Sequence, residues 1–93
     1  MSEATGDVRV LVEHIAKALV DAQDQVFVEV VEEDGETVIE VEVAENEVGK
    51  LIGRHGRTAK ALRTLLSAAS LKQNKRFVLE IIEQASSSPW REF

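Results

Sequence analysis

Cysteine is absent from the 93 residues, so neither a disulfide nor a thiolate metal site is available, and no oxidising compartment is implied. Tyrosine is absent too, and the only proline and the only tryptophan, Pro89 and Trp90, sit together near the end of the chain. No apolar run approaches the ~18 residues of a membrane-spanning helix. The opening Met-Ser-Glu-Ala-Thr-Gly-Asp lacks the basic and apolar regions of a signal peptide. These absences set the expectation of a cytoplasmic protein with no membrane association. The most telling absence is local. Between Val48 and Leu79 there is no Asp or Glu, while Lys50, Arg54, Arg57, Lys60, Arg63, Lys72, Lys75 and Arg76 give that segment a charge of +8. Elsewhere Arg9, Lys17 and Arg91 face all 17 acids, leaving −14, and the whole chain carries −6. An acidic protein that gathers its positive charge in one segment is suited to hold an anion there, because steering follows the local field rather than the net charge.

One small domain is expected from this length. Residues 1–6 are small and polar and are expected to fray. Asp7 can cap a helix running to about Asp21, with Val8, Leu11, Val12, Ile15 and Leu19 on its apolar stripe. Arg9, Glu13 and Lys17 are spaced for surface pairs on the other side, and Ala16 and Ala18 flank the stripe. Alternating valines from about Gln25 to Glu32 predict a strand, and Glu33-Asp34-Gly35-Glu36 a tight turn. Thr37 to Val43 is the cleanest strand, with Ile39, Val41 and Val43 on one face. A short helix follows Ala44-Glu45-Asn46-Glu47, with Val48, Leu51 and Ile52 apolar, and Gly53 ends it. A longer helix runs from Gly56 to roughly Leu71, then a third strand through Phe77, Leu79 and Ile81. Residues 84–93 form a polar tail. The order α-β-β-α-α-β predicts an α+β domain, a three-stranded mixed sheet covered on one face by three helices. Residues 7–83 make up this domain.

The stretch Gly53-Arg54-His55-Gly56 joins the second and third helices. A lone Gly-x-x-Gly is weak evidence, since Gly53 by itself reads as a helix cap. Its context is stronger. The main-chain N–H groups opening the third helix are free to face outward and attract anions. Gly56 has no β-carbon to hold a sugar-phosphate chain away, and Arg54, His55 and Arg57 add charge-assisted contacts. A nucleic-acid backbone or another phosphate fits best. A P-loop is excluded because Gly-Lys-Ser/Thr is missing at the helix start. His55 lacks the oriented partner and nucleophile that catalysis needs, and His14 lies on another helix, so no metal is expected. Glu29, Glu40, Glu42 and Glu80 alternate outward on the strands, without aromatics to stack bases, which excludes RNA binding across the open sheet. Lys60 and Arg63 also read as an ordinary solvated helix face.

The run Val48-Gly49-Lys50-Leu51-Ile52-Gly53-Arg54-His55-Gly56-Arg57-Thr58-Ala59-Lys60-Ala61-Leu62-Arg63, on this order of elements, resembles a type II KH domain. More narrowly, the chain resembles the KhpA family of small bacterial single-KH proteins, roughly from Val8 to Glu83. The resemblance implies single-stranded RNA or DNA binding, about four nucleotides held with the GXXG loop clamping the backbone. By position the clamp is Gly53, Arg54, His55 and Gly56. The groove floor is Leu51, Ile52 and Ala59, with Ile39 of the second strand, and the basic rim is Lys50, Arg57, Lys60 and Arg63. It implies no enzyme activity and no cofactor. It implies a protein partner as well, either a second copy in a homodimer or a larger KH-containing protein of the Jag/KhpB type. The expected role is that of an RNA chaperone or post-transcriptional regulator. A KH-fold protein-interaction module and a ribosome-associated assembly factor are the competing expectations. Exposed apolar residues of the third helix and strand, and the tail around Trp90, are the candidate protein contacts.

Overall fold

The computed structural model describes residues 3–84. Six main elements follow in order: α1 (Glu3–Leu19), β1 (Phe27–Glu33), β2 (Glu36–Val43), α2 (Val48–Ile52), α3 (Arg57–Gln73) and β3 (Arg76–Glu83). Short 3-10 turns occupy Gln23–Gln25, Glu45–Glu47 and Arg54–Gly56. The order β1-β2-β3 puts β2 in the centre, antiparallel to β1 and parallel to β3. This is the expected α+β arrangement of three helices on a mixed sheet.

The hairpin forms where Asp-Gly predicts it. Asp34 and Gly35 both have positive φ, 50° and 79°, the geometry whose twist matches that of the flanking strands. The register then decides the two faces of the sheet. Val30, Ile39 and Leu79 lie side by side on the inner face, and Glu29, Glu40 and Glu80 side by side on the outer one. The core gathers Val8, Val12, Ala16, Val41, Val43, Leu51, Leu62, Leu66 and Phe77 around Ile39, which is 0% exposed. A side chain buried this completely contributes about 1.5–3 kcal/mol.

Two expectations about α1 are corrected. The helix starts at Glu3, ahead of Asp7, and takes in Glu3 to Gly6. Thr5 is completely buried, and the Lys75 ammonium donates to its hydroxyl at 3.1 Å. Docking against the turn between α3 and β3 outweighs the local capping signal of Asp7. The buried stripe is also rotated. It runs through Thr5, Val8, Val12 and Ala16, whereas Leu11 and Leu19 are exposed. Ala16 lets the helix approach the sheet more closely than a leucine would. The surface pairs form as spaced, Glu13 receiving Arg9 at 3.1 Å and Lys17 at 2.9 Å.

At the other end, Gln84 continues the sheet by donating its N–H to the Val43 carbonyl at 2.7 Å. The expected tail contact at Trp90 lies outside the described residues.

Candidate nucleic-acid interface

Every unusual backbone angle between α2 and α3 falls in the Gly53–Gly56 loop. Gly53 has φ 77° and ψ 170°, a region essentially open only to glycine, and its N–H closes α2 on the Gly49 carbonyl at 2.8 Å. His55 (φ 57°) and Gly56 (φ 74°) are both left-handed. The two glycines are needed for different reasons. A β-carbon on Gly53 would meet the backbone and side chain of Thr58, whereas one on Gly56 would meet nothing within 4 Å. Gly53 is therefore demanded by packing and Gly56 by its angle and its open approach. Gly56, having no side chain, makes no capping hydrogen bond to the first-turn N–H groups of α3.

The cations divide into two groups. Arg54, His55, Arg57, Lys60 and Arg63 are exposed, and among the described residues no ion pair engages them. Lys50 belongs elsewhere. Its ammonium lies 2.7 Å from Asp21 Oδ2 and 2.9 Å from Glu47 Oε1. Glu47 is buried and receives the main-chain N–H groups of Asp21 and Ala22 at 2.7 and 2.8 Å. The Lys50 hydrogen bond, followed by those two N–H groups, lowers the Glu47 carboxyl to about 2. Hydrogen bonds to Asp21 and then Glu47 raise Lys50 in turn. Lys50 thus ties α2 to the connection between α1 and β1 and is committed to that cluster, in contrast to the expected basic rim. Glu47 reads in the sequence as an ordinary acid ahead of a helix, and no local signal marks it as the buried partner of a segment 25 residues away.

The apolar half of the site is also redistributed. Leu51 is 1% exposed and Ile39 is fully buried, so both support the site from within the core and neither lines an open groove. Ala59 is buried beneath the first turn of α3. Ile52, 41% exposed beside Gly53, is the apolar residue of the expected set that solvent reaches. The five-residue helix α2 explains the split, because Leu51 and Ile52 are a third of a turn apart and only one can face the sheet.

Among the described residues no cluster of three or more His, Asp or Glu side chains is placed to hold a metal ion, and no helix is long and apolar enough to cross a membrane. The geometry offers an outward main chain, exposed cations and a flanking apolar side chain, a combination suited to a phosphodiester strand.

Comparison with known proteins identifies the family. Residues 9–81 match the family model described as KhpA/KhpB, KH domain. The chain is 48% identical over 73 residues to the RNA-binding protein KhpA of Borreliella burgdorferi, covering 78% of this chain and 89% of that one. It is 50% identical over 72 residues to KhpA of Clostridium acetobutylicum, covering 77% and 96%. It is 51% identical over 73 residues to KhpA of Aquifex aeolicus, covering 78% and 92%. Among solved structures, an Aquifex aeolicus Era variant bound to GDP and AlF4− superposes with a TM-score of 0.51 at 20% identity, covering 82% of this chain and 29% of Era, a likeness of fold alone. Fold, loop and matched length together show that the chain belongs to the KhpA/KhpB family of KH domains.

Proposed function

We propose that this protein binds single-stranded RNA through the Gly53–Gly56 loop and acts in the cytoplasm as an RNA chaperone or post-transcriptional regulator, with no catalytic activity of its own. One observation carries the reading. The exposed cations Arg54, Arg57, Lys60 and Arg63, which no ion pair engages among the described residues, surround a loop whose main chain is open at Gly56, in a segment without a single acid. The relatives named RNA-binding protein KhpA support the same ligand. The acidic row Glu29, Glu40 and Glu80 faces away from the helices and repels phosphate, so binding is one-sided. Affinity is modest, because the loop has no aromatic platform and lacks the ~1–3 kcal/mol per base that stacking supplies.

A protein partner compensates through effective concentration. The exposed Leu65 of α3, 54% accessible, and Leu11 of α1 flank a common apolar seam and are the contact we propose for a second copy or a larger KH-containing protein. That seam also supports the competing reading of a protein-interaction module.

Filter binding of an unstructured RNA to the Arg54→Asp, His55→Asp double variant, at two salt concentrations, tests the proposal. With two to four phosphates neutralised, the wild-type log–log salt slope is roughly −1.4 to −2.8. Undiminished binding by a variant that retains its helical circular dichroism refutes the clamp. A flat salt response in the wild type refutes the phosphate contacts.

A further inference from the structure

Among the described residues the three helices pack on one face of the sheet, and no element covers the other. The register arranges that open face in rows running across the strands. Val31, Val38 and Val78 form one row, Glu29, Glu40 and Glu80 the next, and Phe27, Glu42 and Ile82 the third. Val38 is 7% exposed yet lies outside the core cluster beneath the helices, so the valine row is a small apolar surface of its own. Phe27 is 50% exposed. No ion pair among the described residues engages Glu29, Glu40, Glu42 or Glu80. Like charges directly opposite one another destabilise a sheet, so the glutamate row weakens the free fold. These carboxylates repel phosphate, and no group of them among the described residues is placed to hold a metal ion. The charge that suits the row is a partner's ammonium or guanidinium, carried on a surface that is apolar on either side of it.

We propose that this helix-free face docks a basic amphipathic helix of a different protein, an interaction independent of RNA at the Gly53–Gly56 loop. The spacing of the rows sets the pattern of the occupant. Rows two residues apart along a strand are separated by about 6.8 Å, and residues four apart on one face of a helix rise about 6 Å. A helix lying along β2 matches all three rows with an apolar residue, a Lys or Arg four positions on, and a second apolar residue four positions further. The first meets the valines, the cation meets Glu40 between Glu29 and Glu80, and the last meets Phe27 and Ile82. A long cationic side chain suits this place, because its methylene stem rests on apolar surface while its head stays with the carboxylates. Occupants from this chain fit less well. No cation of α1 or α3 has an exposed apolar residue four positions away on both sides, so a second copy offers no matching helix. Residues 85–93 hold a single cation, Arg91, next to Glu92.

The test uses the full chain and two labelled probes, a short helical peptide with leucine, lysine and leucine at successive four-residue steps on one face, and a scrambled peptide of the same composition. Fluorescence polarisation is expected to show the patterned peptide binding about tenfold more tightly than the scrambled one, since only its leucines can reach the apolar rows together. The Glu40→Gln, Glu80→Gln double variant is expected to bind the patterned peptide about fivefold more weakly. Its urea midpoint is expected to rise, because the like charges no longer face each other. Phe27→Ser is expected to weaken the same peptide about five- to tenfold. In amide NMR spectra the peptide moves Phe27 to Val31, Val38 to Glu42 and Val78 to Ile82, and leaves Gly53 to Arg57 in place. Equal binding of the scrambled peptide overturns the proposal, as does undiminished binding by both variants or a set of shifts confined to α1 and α3. In the peptide-free chain, signals of this face that move with protein concentration overturn it in favour of a second copy. Signals of this face that move in Trp90→Ala overturn it in favour of the chain's own C-terminal residues.

Discussion

Gly53 and Thr58 sit so close across the loop that a β-carbon on Gly53 would come within 2.9 Å of the Thr58 amide nitrogen. Contact that tight is with main chain and cannot be relieved by a rotamer change. Together with the φ of 77° and ψ of 170°, it makes Gly53 the rigid end of the loop and leaves Gly56 as the open end.

The two glycines therefore respond unequally to alanine. Gly53→Ala meets both the clash and a backbone region that costs about 1–3 kcal/mol by itself, so a loss of about 3 kcal/mol or more is expected. Gly56→Ala meets only the left-handed angle and loses about 1–2 kcal/mol. Urea unfolding of the two variants measures the difference, and equal losses would mean that Thr58 does not constrain the loop.

Leu51 and Ile52 are neighbours in sequence with opposite surroundings. Leu51→Ala opens a cavity in the core and is expected to cost about 2–5 kcal/mol. Ile52→Ala removes a half-exposed side chain and costs under about 1 kcal/mol, while RNA affinity falls because the apolar flank of the loop is lost. Stability from denaturant melts, set beside binding of the same two proteins, checks this separation. A large stability loss in Ile52→Ala would place that side chain in the core after all.

Acid should weaken the fold through Glu47. Its carboxyl is lowered from 4.5 to about 2 by the Lys50 hydrogen bond and the N–H groups of Asp21 and Ala22. A lowered folded-state value means that the contribution is complete above the unfolded value near 4.5 and disappears as pH falls towards 2. Glu47→Gln is thus expected to be less stable than wild type at pH 7, with the two stabilities converging near pH 2. Thermal melts across pH 7 to 2 test it, and a constant gap at every pH would show that the carboxylate charge is not what matters.

Removal of residues 1–6 is not neutral in this structure. It deletes the buried Thr5 and its hydrogen bond from Lys75, and a loss of about 1–3 kcal/mol is expected. A truncated chain as stable as the full one would restore the frayed N-terminus that composition suggests.

The elements and the hairpin were legible because their signals are local. Alternation marks Val26 to Val43, Asp34-Gly35 supplies the turn, and Gly53 ends α2, each within a few residues of the structure it dictates. The loop and its acid-free surroundings were legible for the same reason. Pairings between distant segments were not. Thr5 with Lys75 spans 70 residues and Glu47 with Asp21 spans 26, and in neither case does local context distinguish the partner from any other polar side chain.

By itself, the sequence determined the order of elements, the segregation of charge and the place of the Gly53–Gly56 loop, since these depend on period, composition and backbone permissiveness. Only the tertiary structure decided which side chains the loop presents. It turned Leu51 and Ile39 into the core and drew Lys50 to Asp21 and Glu47. It left Ile52, Arg54, His55 and the α3 cations facing out. Burial and ion pairing depend on what the rest of the chain brings alongside each residue, and that is settled only when the helices close over the sheet.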